Sequence, residues 1–224
     1  MRTCALIPAF NEAPYIADVV ERARQYVAEV VVIDDGSRDG TADIARAAGA
    51  TCLQSAENRG KASALRTGLT YAREYNFTNV FTLDGDGQHL PDDIPVMLRV
   101  AEETGADLII GARHFDLGRM PSSRYFSNVI GSRLASALVG CEIHDSQSGF
   151  RLFRLDKLDG AKLRSRYYEF EMEVLIKMAR SGCTIAHAPI RTIYYEGHAR
   201  SKMKPVRDTV RVCLWSLAFR FLGA

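Results

Sequence analysis

With 224 residues, 47% of them hydrophobic, the chain can bury a full core and fits one compact domain better than two. Its 29 lysines and arginines against 27 aspartates and glutamates leave a formal charge of only +2, which excludes a global field that recruits nucleic acid. The five cysteines, Cys4, Cys52, Cys141, Cys183 and Cys213, are odd in number, scattered, and without CxxC or Cys/His pairing, so neither a disulfide framework nor a zinc site is expected.

The N-terminus runs straight into an apolar, strand-like stretch, Cys4 to Pro8, with no signal-peptide pattern. Together with the cysteine usage this predicts a cytoplasmic protein. Near the other end, the apolar run Val212 to Phe219 is bounded by Arg211 and Arg220. It falls short of the roughly 20 residues a membrane span needs, and no transmembrane helix is expected.

Through the first half, short apolar runs alternate with helix-period segments, the pattern of a parallel sheet covered by helices. Strands are predicted at Thr3 to Pro8, Val30 to Asp34, Thr51 to Gln54, Val80 to Asp84 and Leu108 to Ala112, and helices at Tyr15 to Tyr26, Thr41 to Ala48, Lys61 to Glu74 and Asp92 to Glu103. The second half predicts a helix from Ser122 to Leu138, a strand at Phe150 to Phe153, a helix from about Phe170 to Arg180, and a strand-like pair within Thr184 to Tyr195. The fold class is therefore α/β, with Rossmann-like winding. In such sheets ligands sit at the carboxyl ends of the strands, near the switch in strand order. Asn11 and Glu12 follow the first strand, Asp34 and Asp35 the second, and Asp84 and Asp86 the fourth, so three carboxylate-bearing tips share one edge.

Leu83-Asp84-Gly85-Asp86-Gly87-Gln88-His89 is the sharpest motif. If the chain there is extended, alternate residues share a direction, and Asp84, Asp86 and Gln88 present oxygens to one hard cation, Mg²⁺ or Mn²⁺. Such a cation would neutralise a diphosphate and favour its departure. A calcium EF-hand fails because the twelfth loop position is Pro95 rather than glutamate. In Asp34-Asp35-Gly36-Ser37-Arg38-Asp39-Gly40-Thr41, Asp35 is a candidate acceptor for a base or ribose hydroxyl, while helix capping accounts for Asp39 and Thr41. Asn58-Arg59-Gly60-Lys61 precedes a helix, so backbone N–H groups and Lys61 are placed for donor phosphates. It is neither GxxxxGK[ST] nor GxGxxG, which counts against P-loop NTPases and dinucleotide oxidoreductases.

Pro8-Ala9-Phe10-Asn11-Glu12, Asp34-Asp35-Gly36-Ser37, Asn58-x-Gly60-Lys61, Asp84-x-Asp86-x-Gln88-His89 and Ser148-Gly149-Phe150-Arg151 together resemble family 2 glycosyltransferases of the GT-A fold. Within them the set is most similar to the dolichol- or polyprenyl-phosphate mannose and glucose synthases. The resemblance runs from about Cys4 to Lys204. It implies a nucleotide-sugar-binding half over about 1–112, an acceptor half over about 113–204, and a C-terminal amphipathic helix over about 205–224. It further implies that Pro8, Ala9, Asn11, Glu12 and Asp35 hold the nucleotide and that Lys61 lies near its diphosphate. Asp84 would face the ribose and metal, and Asp86 and Gln88 would be metal ligands. Ala62-Ser63-Ala64 departs from the glycine common after the lysine, which weakens the backbone approach there.

A hydroxyl acceptor needs a general base. A phosphate monoester is already largely dianionic at neutral pH and needs cationic partners that hold it in line. Arg113, Arg119, Arg124, Ser127 and Asn128 follow the fifth strand. Resemblance to the synthases favours Arg113 and Arg124 for acceptor phosphate, and surface ion pairing for Arg119. Asp145 stands where hydroxyl-acceptor relatives place a base, with acceptor positioning equally open. The basic loop Gly197 to Lys204 resembles an acceptor loop in which Ser201 and Lys202 close over donor diphosphate or lipid phosphate; a solvated charged loop is the alternative.

From Val206 to Leu222 a helix would gather Val206, Val210, Leu214, Leu217 and Phe221 on one face. That suits peripheral contact with the cytoplasmic membrane face, or docking on the chain's own domain or a second subunit. The expected function is inverting, metal-dependent hexose transfer from GDP-mannose or a UDP-sugar to a polyprenyl or dolichyl phosphate. The alternatives are transfer to a sugar or protein hydroxyl with Asp145 as base, and a catalytically silent nucleotide-sugar-binding module. A sugar-nucleotide pyrophosphorylase would need a glycine-rich basic loop after the first strand, and none is present.

Overall fold

A computed structural model describes residues 2–114, 122–159, 162–165 and 169–193, with the side chains of 122–124 outside that description. In chain order the elements are β1 (Thr3–Ala9), α1 (Ile16–Ala23), β2 (Glu29–Asp34), α2 (Thr41–Ala47), β3 (Thr51–Gln54), α3 (Lys61–Glu74), β4 (Asn79–Thr82), α4 (Ile94–Thr104), β5 (Leu108–Arg113), α5 (Ser122–Val139), β6 (Arg151–Arg154), α6 (Phe170–Arg180) and β7 (Ile185–Ile190). Short 3-10 turns precede α4 at Pro91–Asp93 and follow β6 at Leu155–Leu158.

The central strands are apolar without alternation because both faces of the sheet are covered. Along β1, Cys4 and Leu6 enter one apolar cluster with α3 and α6, while Ala5, Ile7 and Ala9 enter a second with α1, α2 and α4. Val31 and Ile33 divide from Val30 and Val32 of β2 in the same way.

The sheet runs β3-β2-β1-β4-β6-β5-β7. All pairs are parallel except those of β6, which is antiparallel to both β4 and β5. The chain winds outward through β2 and β3, then returns to the other side of β1 as β4, so the switch point lies between β1 and β4. Leu83 N–H still donates to Leu6 C=O, whereas Ala9 C=O accepts from Asp35 N–H on the β2 side. Pro8 therefore faces the gap that opens where β4 leaves the ladder, and its missing N–H breaks no bond there.

Several expectations are corrected. The fourth strand ends at Thr82, not Asp84, and residues 85–87 form a turn with Gly87 at φ 72°. Asp84, Asp86 and Gln88 thus share a turn rather than one side of an extended strand. The described part of Thr184 to Tyr195 holds one strand, β7, plus an isolated bridge between Thr192 and His89. The predicted first helix is trimmed to Ile16–Ala23 and the fourth starts with a 3-10 turn.

Asp107, buried at the start of β5, accepts from the Thr184 N–H and hydroxyl at 3.0 and 3.1 Å and ties β5 to the turn before β7. Burial alone would raise its pKa, but the Thr184 bonds and the Lys157 charge take it below the ordinary value. A carboxyl depressed on folding adds stability above its unfolded pKa of about 3.9 and loses it as pH falls through the folded value. Asp107→Asn is expected to lower the melting temperature at pH 7 and to flatten its fall below about pH 4. Melting curves of both proteins between neutral and acid pH would refute this if their acid limbs ran parallel.

Candidate active site

The loops after β1 and β2 are bonded to each other before any ligand arrives. Asn11, at φ 53°, donates its N–H to Ser37 Oγ at 2.8 Å and accepts Arg38 N–H at Oδ1 at 3.0 Å. Glu12 N–H donates to Thr41 Oγ1 at 2.9 Å, and Ala13 N–H to Asp39 Oδ2 at 3.0 Å. Asp39 also takes the Thr41 N–H and hydroxyl, so it links the loops as well as opening α2. Burial would raise its pKa, yet these bonds hold it below the ordinary value.

Asp35 is held by the chain as well as standing at the strand tip. Its carboxylate accepts Arg59 N–H at 2.9 Å and Gly60 N–H at 2.7 Å. The Arg59 and Gly60 amides are thus turned to Asp35, and the acid fixes the entrance to α3. Gly60 takes φ 93°, ψ 154° there, a conformation confined essentially to glycine. Beside it, Asp34 is fully buried: Oδ1 accepts Ser37 N–H at 3.2 Å while Oδ2 has no hydrogen-bond partner among the described residues.

At the switch point, Lys61 at the start of α3 lies between two carboxylates. Its Nζ is 2.5 Å from Asp84 Oδ1 and 2.7 Å from Glu171 Oε1 on the first turn of α6. Burial would lower the ammonium's pKa, but Asp84 and Glu171 together carry it above the ordinary value. Burial would likewise raise Asp84, yet Lys61 and His89 hold it down at about 2. Asp84 Oδ2 faces His89 Nδ1 at 3.8 Å, and that buried ring nitrogen has no hydrogen-bond partner among the described residues. Asp86 accepts Gln88 N–H at 3.0 Å, and burial and the Asp84 charge push its carboxyl above the usual range. The turn is anchored from outside, since Gln88 C=O accepts Ile193 N–H at 3.1 Å.

β6 brings the second half of the chain to this point. Thr82 Oγ1 donates to Gly149 C=O at 2.9 Å. A Cβ on Gly149 would lie 2.7 Å from Asp84 Oδ2 and 2.9 Å from Lys61 Nζ, so only glycine leaves the carboxylate accessible there. Arg151, fully buried, donates to the carbonyls of Ser146, Ser148 and Glu171. Asp145, also fully buried, receives Arg113 Nε at 2.6 Å, Nη2 at 3.0 Å and the Arg113 N–H at 3.3 Å. Burial would raise Asp145; the Arg113 charge and bonds take it below the ordinary range.

Among the expected residues the structure thus brings together Lys61, Asp84, Asp86 and Gln88, and separately pairs Arg113 with Asp145. Pro8 and Ala9 end β1 at the same edge. The side chain of Arg124 lies outside the described residues, as do Arg119, Ser201, Lys202 and the predicted helix over 206–222. Glu171 was not anticipated. The sequence carries only a slight signal for it: Glu169, Glu171 and Glu173 alternate with apolar residues at a helix start, a spacing that sets Glu171 on the face opposite the other two.

Similarity to known proteins fits this geometry. The sequence model of Glycosyl transferase family 2 matches residues 4–160. The chain belongs to that family. An undecaprenyl-phosphate mannosyltransferase of Micrococcus luteus is 31% identical over 238 residues, covering all of this chain and 97% of the relative. A UDP-N-acetylglucosamine–dolichyl-phosphate N-acetylglucosaminyltransferase of Methanococcus voltae is 30% identical over 214 residues, 85% of each chain. Among solved structures, mannosyl-3-phosphoglycerate synthase from Rubrobacter xylanophilus superposes with a TM-score of 0.75 at 16% identity, covering 100% of this chain and 74% of that one. Glucosyl-3-phosphoglycerate synthase from Mycobacterium tuberculosis, in complex with Mn²⁺, UDP and phosphoglyceric acid, does so at 0.74 and 20% identity, covering 98% and 78%. The family 2 glycosyltransferase accordingly has the GT-A fold, and it is an enzyme of the hexosyltransferase class. Among its described residues no helix is long and apolar enough to cross a membrane.

Proposed function

We propose that this glycosyltransferase moves a hexose, with inversion, from a nucleotide diphosphate sugar to a polyprenyl or dolichyl phosphate. The observation that carries the acceptor class is the state of Asp145. Both its oxygens are bonded to Arg113, and it is held as a poor proton acceptor. That is the wrong condition for the base a hydroxyl acceptor requires and the right one for orienting a guanidinium toward a phosphate. The names of the Micrococcus luteus and Methanococcus voltae relatives, which specify lipid phosphates, support the same reading.

In it, an acceptor phosphate oxygen attacks the anomeric carbon as the bond from that carbon to the diphosphate oxygen breaks, and the nucleoside diphosphate departs. Arg113, fixed by Asp145, orients the acceptor, with Arg124 assigned to the same phosphate. Lys61 offsets charge on the leaving diphosphate. Pro8, Ala9, Asn11 and Glu12 line the nucleotide edge, and Asp35 shapes it by holding the Arg59–Gly60 turn. Ser201 and Lys202 are assigned to closure over the phosphates, and residues 206–222 to peripheral contact with the cytoplasmic membrane face.

Asp84, Asp86 and Gln88 would hold Mg²⁺ or Mn²⁺. Their setting fits one: two carboxylates and an amide supply hard oxygen ligands, Asp86 is crowded by Asp84, and Gly149 leaves room beside Asp84. Among the described residues no three His, Cys, Asp or Glu side chains form a metal cluster, so substrate oxygens would complete the shell, as is usual for Mg²⁺. When bound, the cation supplies neutralising charge to the diphosphate. The Mycobacterium tuberculosis neighbour, solved with Mn²⁺ and UDP, supports that assignment.

The test incubates purified protein with polyprenyl phosphate and labelled GDP-mannose, UDP-glucose or UDP-N-acetylglucosamine in turn, with Mg²⁺ or Mn²⁺ and with EDTA. Label entering the organic phase from one donor, and lost in EDTA, is expected. Aqueous product or donor hydrolysis without organic-phase label would overturn the acceptor class.

A further inference from the structure

Lys61 has more negative charge around it than neutralisation requires. Asp84 alone, at 2.5 Å, would balance one ammonium. The second carboxylate, at 2.7 Å, comes from Glu171, whose side chain is only 8% exposed. Glu171 is held there from behind, because its backbone carbonyl accepts from the buried Arg151 guanidinium. One lysine is in direct contact with two carboxylates beside Asp86, while the buried Arg151 guanidinium behind Glu171 spends its donors on carbonyls and not on the Glu171 carboxylate. Like charges gathered in a desolvated site are costly unless another cation uses them.

We propose that Glu171 is a positioning residue that shares Lys61 with Asp84, leaves Asp84 able to accept a divalent cation, and thereby sets the cation affinity of the site. This rests on the reading above in which Asp84, Asp86 and Gln88 hold Mg²⁺ or Mn²⁺. With glutamine at 171 the shape and one acceptor oxygen remain, but Lys61 then pairs with Asp84 alone. An incoming cation must compete with an undivided ammonium at Asp84, in a site one charge more positive. A nucleoside diphosphate arriving without metal meets the opposite change, because Lys61 is less neutralised. The two effects have opposite signs, whereas a merely structural defect would weaken both.

The experiment uses the full chain, with Mn²⁺ binding followed by the EPR signal of the free ion, in the presence and absence of saturating UDP or GDP. Nucleotide binding is measured by calorimetry in EDTA, and melting temperatures are recorded alongside. Glu171→Gln is expected to weaken Mn²⁺ binding by about tenfold and to leave metal-free nucleotide binding equal or tighter. Glu171→Asp, which keeps the charge, should fall between it and the unsubstituted chain, and it carries the test if the glutamine variant does not fold. In a Lys61→Met background most of the effect of Glu171→Gln should vanish.

Mn²⁺ affinity changed by less than about twofold in Glu171→Gln, against an error of a few tenths of a kcal/mol in such comparisons, overturns the inference. So does parallel loss of Mn²⁺ and nucleotide binding, or an effect undiminished in the Lys61→Met background. If the unsubstituted chain binds no Mn²⁺ with either nucleotide, the metal assignment itself falls and takes this inference with it, a failure distinct from a Glu171→Gln protein that matches a binding parent.

Discussion

Asp86→Asn is expected to cut sugar transfer by roughly a hundred- to a thousandfold, the usual cost of removing one electrostatic stabiliser from an active site. In chelator it should leave the melting temperature equal or slightly higher. The sign follows from the environment of the carboxyl. Burial and then the Asp84 charge raise its pKa, more than the Gln88 N–H can offset. An acid whose pKa rises on folding opposes the folded state when ionised, so its contribution improves as pH falls and worsens as pH rises. Asparagine removes that charge and keeps an oxygen for Gln88, so the turn survives. Activity and stability are thereby separated. Transfer assays with whichever donor labels the organic phase, and melting curves in EDTA, decide it. A melting temperature that falls along with activity would mean that Asp86 holds the turn together and that its charge serves no ligand.

That separation also explains which parts of the site could be read from the residues. Leu83 to His89 was recognisable because an acidic, glycine-rich turn after an apolar strand has few structural uses, and the turn is where the sequence pattern put it. The geometric reason offered for it was wrong. The strand ends at Thr82, and the turn over 85–87, with Gly87 at φ 72°, gathers Asp84 and Asp86 in place of the two-residue period of a strand. The positions of β1 to β5 were legible for the same reason as the helices between them: each strand is a short apolar run closed by a polar tip. β6 was expected as a strand, but its antiparallel direction was not, since direction depends on the path of residues 114–150 and leaves no local mark.

Long-range pairings were the least legible. Asp35 stands at a strand tip, and nothing local announces that its oxygens also accept the amides of Arg59 and Gly60, 24 and 25 residues away. Asp145 and Arg113, 32 residues apart, each had a chemical role open to them separately. Their bidentate contact is what favours the acceptor-positioning role proposed for them, since an acid so engaged is a weaker base. Nothing in the spacing of Lys61 and Glu171 announces that they meet.

Arg151→Met is expected to destabilise the protein by about 3 to 5 kcal/mol, because the thioether leaves buried carbonyls without donors. For a domain of this size that is a fall of about 10 °C or more in melting temperature. Among the described residues the guanidinium has no carboxylate in hydrogen-bond contact, and burial pulls its pKa below the ordinary value; Glu171 and Asp145 only partly compensate. A cation is retained in such a place when several neutral acceptors depend on it, and the carbonyls of Ser146, Ser148 and Glu171 do. Those three acceptors fix the loop that carries Asp145 and Gly149 and the helix turn that carries Glu171. Lysine, whose three donors share one nitrogen, cannot span acceptors that three separate guanidinium nitrogens reach, so Arg151→Lys should recover little of the loss. Chemical denaturation of both variants tests this, and a Lys variant within about 1 kcal/mol of the parent would show that charge at position 151, and not the fork of the guanidinium, joins the Ser146–Ser148 loop to α6.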